Sequence, residues 1–204
     1  MVKTETKPLD SEELVLNRLQ ELVNFRKDDQ DIKEFWSKQF DLGLAWVHFP
    51  EGAGGLNVNP KYQLLVNETL RKEGISTNNR IANLLGIGMG APTISEYGTQ
   101  EQIDKYLKPM FTADEIWCQL FSEPGSGSDL ASLSTKAVDD GDGYIVNGQK
   151  VWTSRAEYSD LIMLLVKTNK HNSESKNILS LFLIDMRPHI GKEIIIKPIR
   201  TMVN

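Results

Sequence analysis

From residue 10 the apolar positions recur with a helical period. Val15, Leu19, Leu22 and Val23 fall at i, i+4, i+7 and i+8 behind Asp10 and Glu13 at capping-box spacing, and predict an amphipathic helix ending near Lys27. A second helix is expected over 31–40, burying Ile32, Phe35, Trp36 and Phe40 and closed by Gly43. Leu44 to Val47 is short and apolar and leads into a loop rich in glycine. Asn59-Pro60 opens a third helix, whose face is Tyr62, Leu65, Val66 and Leu70 and which Gly74 stops. Residues 80–97 read as a further helix, with Ile81, Leu84, Leu85 and Ile87 mixed among Gly86, Gly88, Gly90 and Ala91. Thr99 and Gln102 again have capping-box spacing. They precede a short helix faced by Ile103, Tyr106, Leu107 and Met110 that Pro109 is expected to end.

Near residue 114 the pattern changes from helical to alternating, which places a domain boundary there. Ile116 to Phe121 is strand-like. Asn147-Gly148, flanked by β-formers on both sides, predicts a two-residue hairpin turn, with a second turn just upstream at 139–143. Strands are expected over 161–166, 178–184 and 193–199, the first two joined by a polar loop over 167–176. The predicted order is all helix, then all strand. Residues 1–9 form a loose tail, 10–113 a helical domain and 114–204 a β-domain.

Composition narrows the function classes. The 204 residues carry 23 Lys and Arg against 28 Asp and Glu, a net charge of −5, with no basic stripe interleaved with aromatics. That argues against a nucleic-acid partner. The single cysteine, Cys118, excludes an internal disulfide and a cysteine-cluster metal site, and its place in an apolar strand suits a buried small hydrophobe. His48, His171 and His189 are scattered without metal-ligand spacing, so no metal is expected. The N-terminus lacks the apolar core of a signal peptide, and no apolar run approaches membrane-spanning length, so the cytoplasm is the expected compartment. The glycines at 86, 88 and 90 do not form a dinucleotide fingerprint, since no strand precedes them and the spacing differs. They suit close helix packing, or room for a ligand.

Two stretches combine hydroxyls with flexible or aromatic residues. Ser122-Glu123-Pro124-Gly125-Ser126-Gly127-Ser128-Asp129 interrupts an apolar strand. Such a loop can cradle a phosphate or the edge of a heterocycle through backbone N–H groups, and taken alone it also reads as a solvated turn. Trp152-Thr153-Ser154 follows the predicted hairpin, and an indole beside two hydroxyls can stack on a flat ring and reach its polar edge. Alone, it also reads as an aromatic filling one end of a sheet. Together the two stretches suggest a bound aromatic phosphate ester. Glu123 is a candidate acid or base, but nothing in sequence marks a partner that would shift its pKa, and fixing the loop is its simpler role.

These residues resemble the acyl-CoA dehydrogenase family of flavoproteins. Gln119-Leu120-Phe121-Ser122-Glu123-Pro124-Gly125-Ser126-Gly127-Ser128-Asp129 is similar to the first flavin segment of that family, with Ser126 where a small alanine is usual. Asn147-Gly148-Gln149-Lys150-Val151-Trp152-Thr153-Ser154 resembles the second. Phe49-Pro50-Glu51 with Gly54-Gly55-Leu56, Tyr97-Gly98-Thr99-Gln100-Glu101-Gln102 and Arg200-Thr201-Met202 resemble further family stretches, so the likeness runs from about residue 10 to the end.

The resemblance implies an α+β, multi-domain protein: an N-terminal all-α domain followed by a β-barrel-like middle domain. It implies FAD, with the Gln119, Leu120, Phe121 and Ser122 backbone and the Ser122 hydroxyl facing the pyrimidine edge of the ring. Ser128 with the Gly127 backbone would contact the pyrophosphate, and Ser128 would also lie near the pantetheine of an acyl-CoA substrate. Trp152 would cover the flavin, with Thr153 and Ser154 near N5 and O4. The implied reaction is α,β-dehydrogenation of an acyl-CoA thioester with hydride transfer to flavin and an electron-transfer flavoprotein as acceptor. The family's catalytic glutamate belongs to a C-terminal helical domain, so no catalytic base is assigned here. The expectation is a fragment or truncated form, homo-oligomeric or completed by a split-subunit partner. Alternative readings are a non-catalytic module that binds acyl-CoA or a partner, or an acyl-CoA oxidase or flavin monooxygenase of the same superfamily. The glycines at 86–90 then hint at room for a bulky acyl group.

Overall fold

The computed structural model describes residues 10–168, 178–200 and 202; the expected tail and most of the expected loop over 167–176 lie outside these residues. The chain divides into two compact units, Met1–Asp114 and Glu115–Asn204.

The first unit is helical. Helix α1 spans Ser11–Phe25, α2 Ile32–Asp41, α3 Tyr62–Lys72, α4 Asn78–Ala82, α5 Ala91–Tyr97 and α6 Gln100–Phe111. Their apolar stripes meet in one core, where Val15, Leu19 and Leu22 of α1, Phe35 and Phe40 of α2, Val66 and Leu70 of α3 and Leu107, Met110 and Phe111 of α6 are buried. Residues 42–56 close over this core with an aromatic cluster. Trp46 stacks on Phe49 at 5.0 Å and meets Phe111 edge-on at 5.1 Å. Gly54, at φ +80°, lies where a Cβ would come within 2.6 Å of the Phe40 ring, so this loop needs glycine both for its backbone and for its closeness.

Local signals set several boundaries. The Thr99–Gln102 capping box is formed in both directions, and Asp31 caps α2 by accepting from the Lys33 N–H at 2.9 Å. Gly43 closes α2 at φ +74°. Four expectations change. Asp10 makes no side-chain cap, and α1 starts with Asp10 serving only through its carbonyl, which accepts from the Leu14 N–H at 2.9 Å. Ile32 is 36% exposed and stands outside the core. Pro109 lies inside α6 rather than ending it. An interior proline costs about 3 kcal/mol, whereas burying Leu107, Met110 and Phe111 returns about 1.5–3 kcal/mol each. The helix read over 80–97 is broken into α4, a π-helical turn at Gly86–Gly90 and α5. The break falls at Asn83, whose buried amide donates to the Met110 carbonyl at 2.8 Å, and a Cβ on Gly86 would come within 2.6 Å of that same side chain. There the small residue serves packing, while Gly88 is exposed to open space.

The second unit is a mixed sheet of five strands among the described residues: β1 Trp117–Leu120, β2 Lys136–Asp139, β3 Tyr144–Asn147, β4 Leu161–Thr168 and β5 Ile178–Asp185. The long central strand β4 is flanked on one side by antiparallel β5, in register from Leu161↔Asp185 to Thr168↔Ile178. Along its other side β1 runs parallel to the first half, Trp117↔Leu161 to Leu120↔Leu164, and β2 runs parallel to the end, Lys136↔Lys167 and Ala137↔Thr168. The chain therefore leaves the sheet at residue 121 and rejoins it at 136, and that excursion carries the first candidate segment. The sheet is not closed, so the barrel likeness is approximate.

Two β expectations are corrected. The hairpin turn is at 140–143, joining β2 to β3 with Asp139↔Tyr144 and Lys136↔Asn147 in register, not at Asn147-Gly148. Neither Asn147 nor Gly148 has the positive φ that a type I′ turn demands. Gly148 instead packs on Thr135, and residues 148–160 cross the unit without forming a strand. Residues 193–199 are not a strand; only an isolated bridge joins Ile190 to Ile194, and Ile195 and Ile199 are 63% and 51% exposed.

Candidate functional site

The 121–135 excursion is built around a tight turn. Ser126 N–H donates to the Glu123 carbonyl at 3.1 Å and Glu123 N–H to the Ser126 carbonyl at 2.7 Å. Pro124 sits at the second turn position, where its fixed φ suits the geometry. The Ser126 hydroxyl donates to the Asp129 carbonyl at 2.7 Å and carries the chain into the short helical turn Leu130–Ser132. A Cβ added at Gly125 or Gly127 would meet nothing within 4 Å, so the outer side of the loop is open.

Beneath the loop is a buried charge. Glu123 is 5% exposed. Its Oε2 accepts from the Ser134 N–H and hydroxyl, both at 2.6 Å. Its Oε1 accepts from the Thr135 N–H at 2.9 Å, from the Thr135 hydroxyl and from the Lys150 ammonium at 2.9 Å. Burial by itself would raise the carboxyl pKa. The bonds from Ser134, Thr135 and Lys150 outweigh it and hold the group well below its ordinary value of 4.5. Glu123 is thus an ionised anchor with both oxygens engaged, and it fixes the loop rather than moving protons.

The same contacts bring the two sequence segments together. Lys150 also donates to the Phe121 carbonyl at 3.0 Å, and the Val151 N–H donates to the Ser122 carbonyl at 2.9 Å. Trp152, Thr153 and Ser154 therefore leave from beside Ser122. The Trp152 indole is 75% exposed and its backbone is left-handed at φ 60°; Arg155 follows at φ 67°. Two such residues within four positions, one of them bulky, mark strain held by the surrounding structure. Gln119 and Leu120 are the last, half-buried residues of β1, followed by half-buried Phe121 and Ser122. Gly127 and Ser128 are exposed beyond the turn, and no hydrogen bond joins them to 152–154 among the described residues.

Whether these groups suit FAD can be judged from their chemistry. The exposed side of the loop offers backbone N–H groups at Gly125, Gly127 and Ser128 that make no bond among the described residues, together with the Ser122 and Ser128 hydroxyls. The Val151–Ser122 bond leads on to an exposed indole at Trp152 and to the Thr153 and Ser154 hydroxyls. Neutral donors over open backbone suit a diphosphate and the edge of a heterocycle, and a flat indole suits its face, so the residues fit the group. Sequence reasoning passed over Lys150, Ser134, Thr135 and the packing of Gly148. Their connection to Glu123 spans 11 to 27 residues and has no local signal. Among the described residues no group of three or more His, Cys, Asp or Glu is placed to hold a metal ion, and no helix is long and apolar enough to cross a membrane.

Comparison with known proteins gives two family matches: "Acyl-CoA dehydrogenase, N-terminal domain" over residues 12–114 and "Acyl-CoA dehydrogenase, middle domain" over residues 118–202. Acyl-CoA dehydrogenase FadE34 of Mycobacterium tuberculosis (strain ATCC 25618 / H37Rv) is 41% identical over 147 residues, which is 72% of this chain and 20% of that protein. Subunit CarC of the caffeyl-CoA reductase-Etf complex of Acetobacterium woodii is 30% identical over 193 residues, covering 92% of this chain and 48% of CarC. A solved structure, the ChsE4-ChsE5 complex from Mycobacterium tuberculosis, superposes with a TM-score of 0.55 at 29% identity, over 91% of this chain and 48% of the matched chain. The chain thus spans less than half the length of each of these relatives.

Proposed function

The chain belongs to the acyl-CoA dehydrogenase family, and from that premise we propose that its second unit supplies one side of an FAD site for dehydrogenation of an acyl-CoA thioester. The observation that carries the proposal is the joining of the two segments: Val151 bonded to Ser122, with the strained, exposed Trp152 next in the chain. Bound there, FAD would supply the acceptor for the hydride that leaves the acyl β-carbon.

The remaining roles belong to the chain. The Gln119–Ser122 backbone and the Ser122 hydroxyl would hold the pyrimidine edge. Gly127 N–H and Ser128 would hold the pyrophosphate, and Ser128 would also meet the pantetheine. Trp152 would cover one ring face and exclude water from it. Thr153 and Ser154 would donate hydrogen bonds at N5 and O4, where charge grows on reduction, and fixed donors stabilise such charge without reorganising. No described residue is assigned the role of base, and Glu123 is a poor one, since five donors engage both its oxygens and hold its pKa well below the ordinary value.

A partner polypeptide is part of the proposal. Two of the relatives are named as members of complexes, one of them with Etf, which supports an electron-transfer flavoprotein as acceptor.

Titrating the purified chain with FAD and following flavin fluorescence tests the reading. Saturable quenching is expected, strengthened by a chain that supplies the family's C-terminal helices. Absence of quenching under both conditions overturns it. Acyl-CoA binding without flavin would indicate a non-catalytic module instead.

A further inference from the structure

Lys150 and Glu123 are 27 residues apart in sequence, one in each candidate cofactor segment, and their side chains are only 5% and 3% exposed. A buried ion pair is a poor device for stability alone, since desolvation consumes most of the attraction and an apolar pair of similar size often does as well. What this pair adds is connection. Glu123 accepts from Ser134 and Thr135 at the entrance to β2, while Lys150 reaches back to the Phe121 carbonyl at the exit of β1. Three stretches of chain, around 121–123, 134–135 and 150–151, thus converge on one carboxylate and one ammonium. Gly148 completes the arrangement, because its backbone rests on the Thr135 side chain that bonds Glu123.

We propose that the Lys150–Glu123 pair is a positioning device that sets where the Trp152–Ser154 wall stands relative to the Ser122–Ser128 loop. Neither residue touches the ligand. Lys150 acts through the Phe121 carbonyl and its neighbour Val151, which bonds Ser122. Glu123 acts through the turn it shares with Ser126. The proposal rests on the FAD reading for its functional meaning, while its geometric content stands apart from it. Lysine and arginine are not interchangeable at such a point, because the guanidinium is wider and forked.

The test compares the unaltered full chain with Glu123→Gln/Lys150→Met and with Lys150→Arg. The double variant removes both charges, so no unpaired ion is left buried. Lys150→Arg keeps the charge and alters its placement. Both are expected to unfold cooperatively, Lys150→Arg near the thermal midpoint of the unaltered chain and the double variant below it, because the Ser134 and Thr135 donors lose their charged acceptor. Both are also expected to shift the ¹H–¹⁵N amide resonances of Ser122 and Trp152–Ser154 and to raise the FAD dissociation constant at least about tenfold, as a small misplacement of a binding group does. Unmoved amides with an unchanged FAD affinity, in either folded variant, overturn the proposal and leave the pair a local structural element. If the unaltered chain takes up no FAD, the cofactor reading fails. The positioning claim is then decided by the amide shifts alone, and unmoved resonances at 152–154 refute it.

Discussion

Gly148 lies so close to Thr135 that a Cβ at 148 would overlap the Thr135 hydroxyl and methyl group. The same hydroxyl donates to Glu123, so the space at 148 and the buried carboxylate are linked through one side chain. Gly148→Ala is therefore expected to destabilise the second unit by about 2 kcal/mol, combining overpacking with a weakened bond to a charged acceptor. Gly143→Ala is the control, because its Cβ would meet nothing within 4 Å. Urea midpoints should fall for the first variant and stay within about 0.5 kcal/mol for the second. Equal effects would mean that Thr135 gives way freely.

That packing also shows how far the sequence could be read. The Thr99–Gln102 box and the Gly43 stop were legible because each is decided within a few residues. So was the change from a helical to a strand-forming pattern. Asn147-Gly148 carried a strong local turn signal, yet the glycine is there for a contact made across the unit. Pro109 and the break at Asn83 follow the same rule, since burial of α6 and a bond to Met110 override what neighbours in sequence suggest. Residues 193–199 are rich in isoleucine, a strand former, but find no partner strand in the described sheet. The Glu123 anchor was beyond reach because its donors come from two later stretches that only the fold brings together.

Glu123 also predicts how stability depends on pH. Its folded-state pKa lies below the ordinary value of 4.5, so the unfolded chain binds the proton more readily. The stabilisation is complete above about pH 4.5 and is lost progressively as pH falls through and below that value toward the folded-state pKa. Unfolding free energies measured from pH 7 to pH 2 should decline steeply on the acid side for the unaltered chain. In Glu123→Gln that decline should be shallower, with lower stability at pH 7. Parallel curves would contradict the assignment.

Cys118 should be chemically silent in the folded chain. Its side chain is fully buried, and burial pushes the thiol up to about 11 even though a hydrogen bond with Ser159 works in the opposite direction. Thiolate is the reactive form, so alkylation by iodoacetamide at pH 8 should be at least about a hundredfold slower in buffer than in denaturant. Rapid labelling of the native chain would show that β1 opens readily from β4.

Trp152 separates function from stability most directly. Its left-handed backbone at φ 60° costs a non-glycine residue about 1–2 kcal/mol, and at 75% exposure the indole returns little of that through packing. Trp152→Gly removes the strain, while the greater freedom of glycine in the unfolded chain takes back about 0.4–1 kcal/mol. The variant should therefore be as stable as the unaltered chain, or up to about 1 kcal/mol more stable. A residue whose only duty was to fill the fold would behave in the opposite way. If the indole instead forms one wall for a flavin, the same substitution should weaken FAD binding, read by loss of fluorescence quenching at FAD concentrations that saturate the unaltered chain. Trp152→Phe, which keeps a flat ring, should retain part of it. Loss of stability with intact flavin binding would assign Trp152 to the fold and remove it from the site.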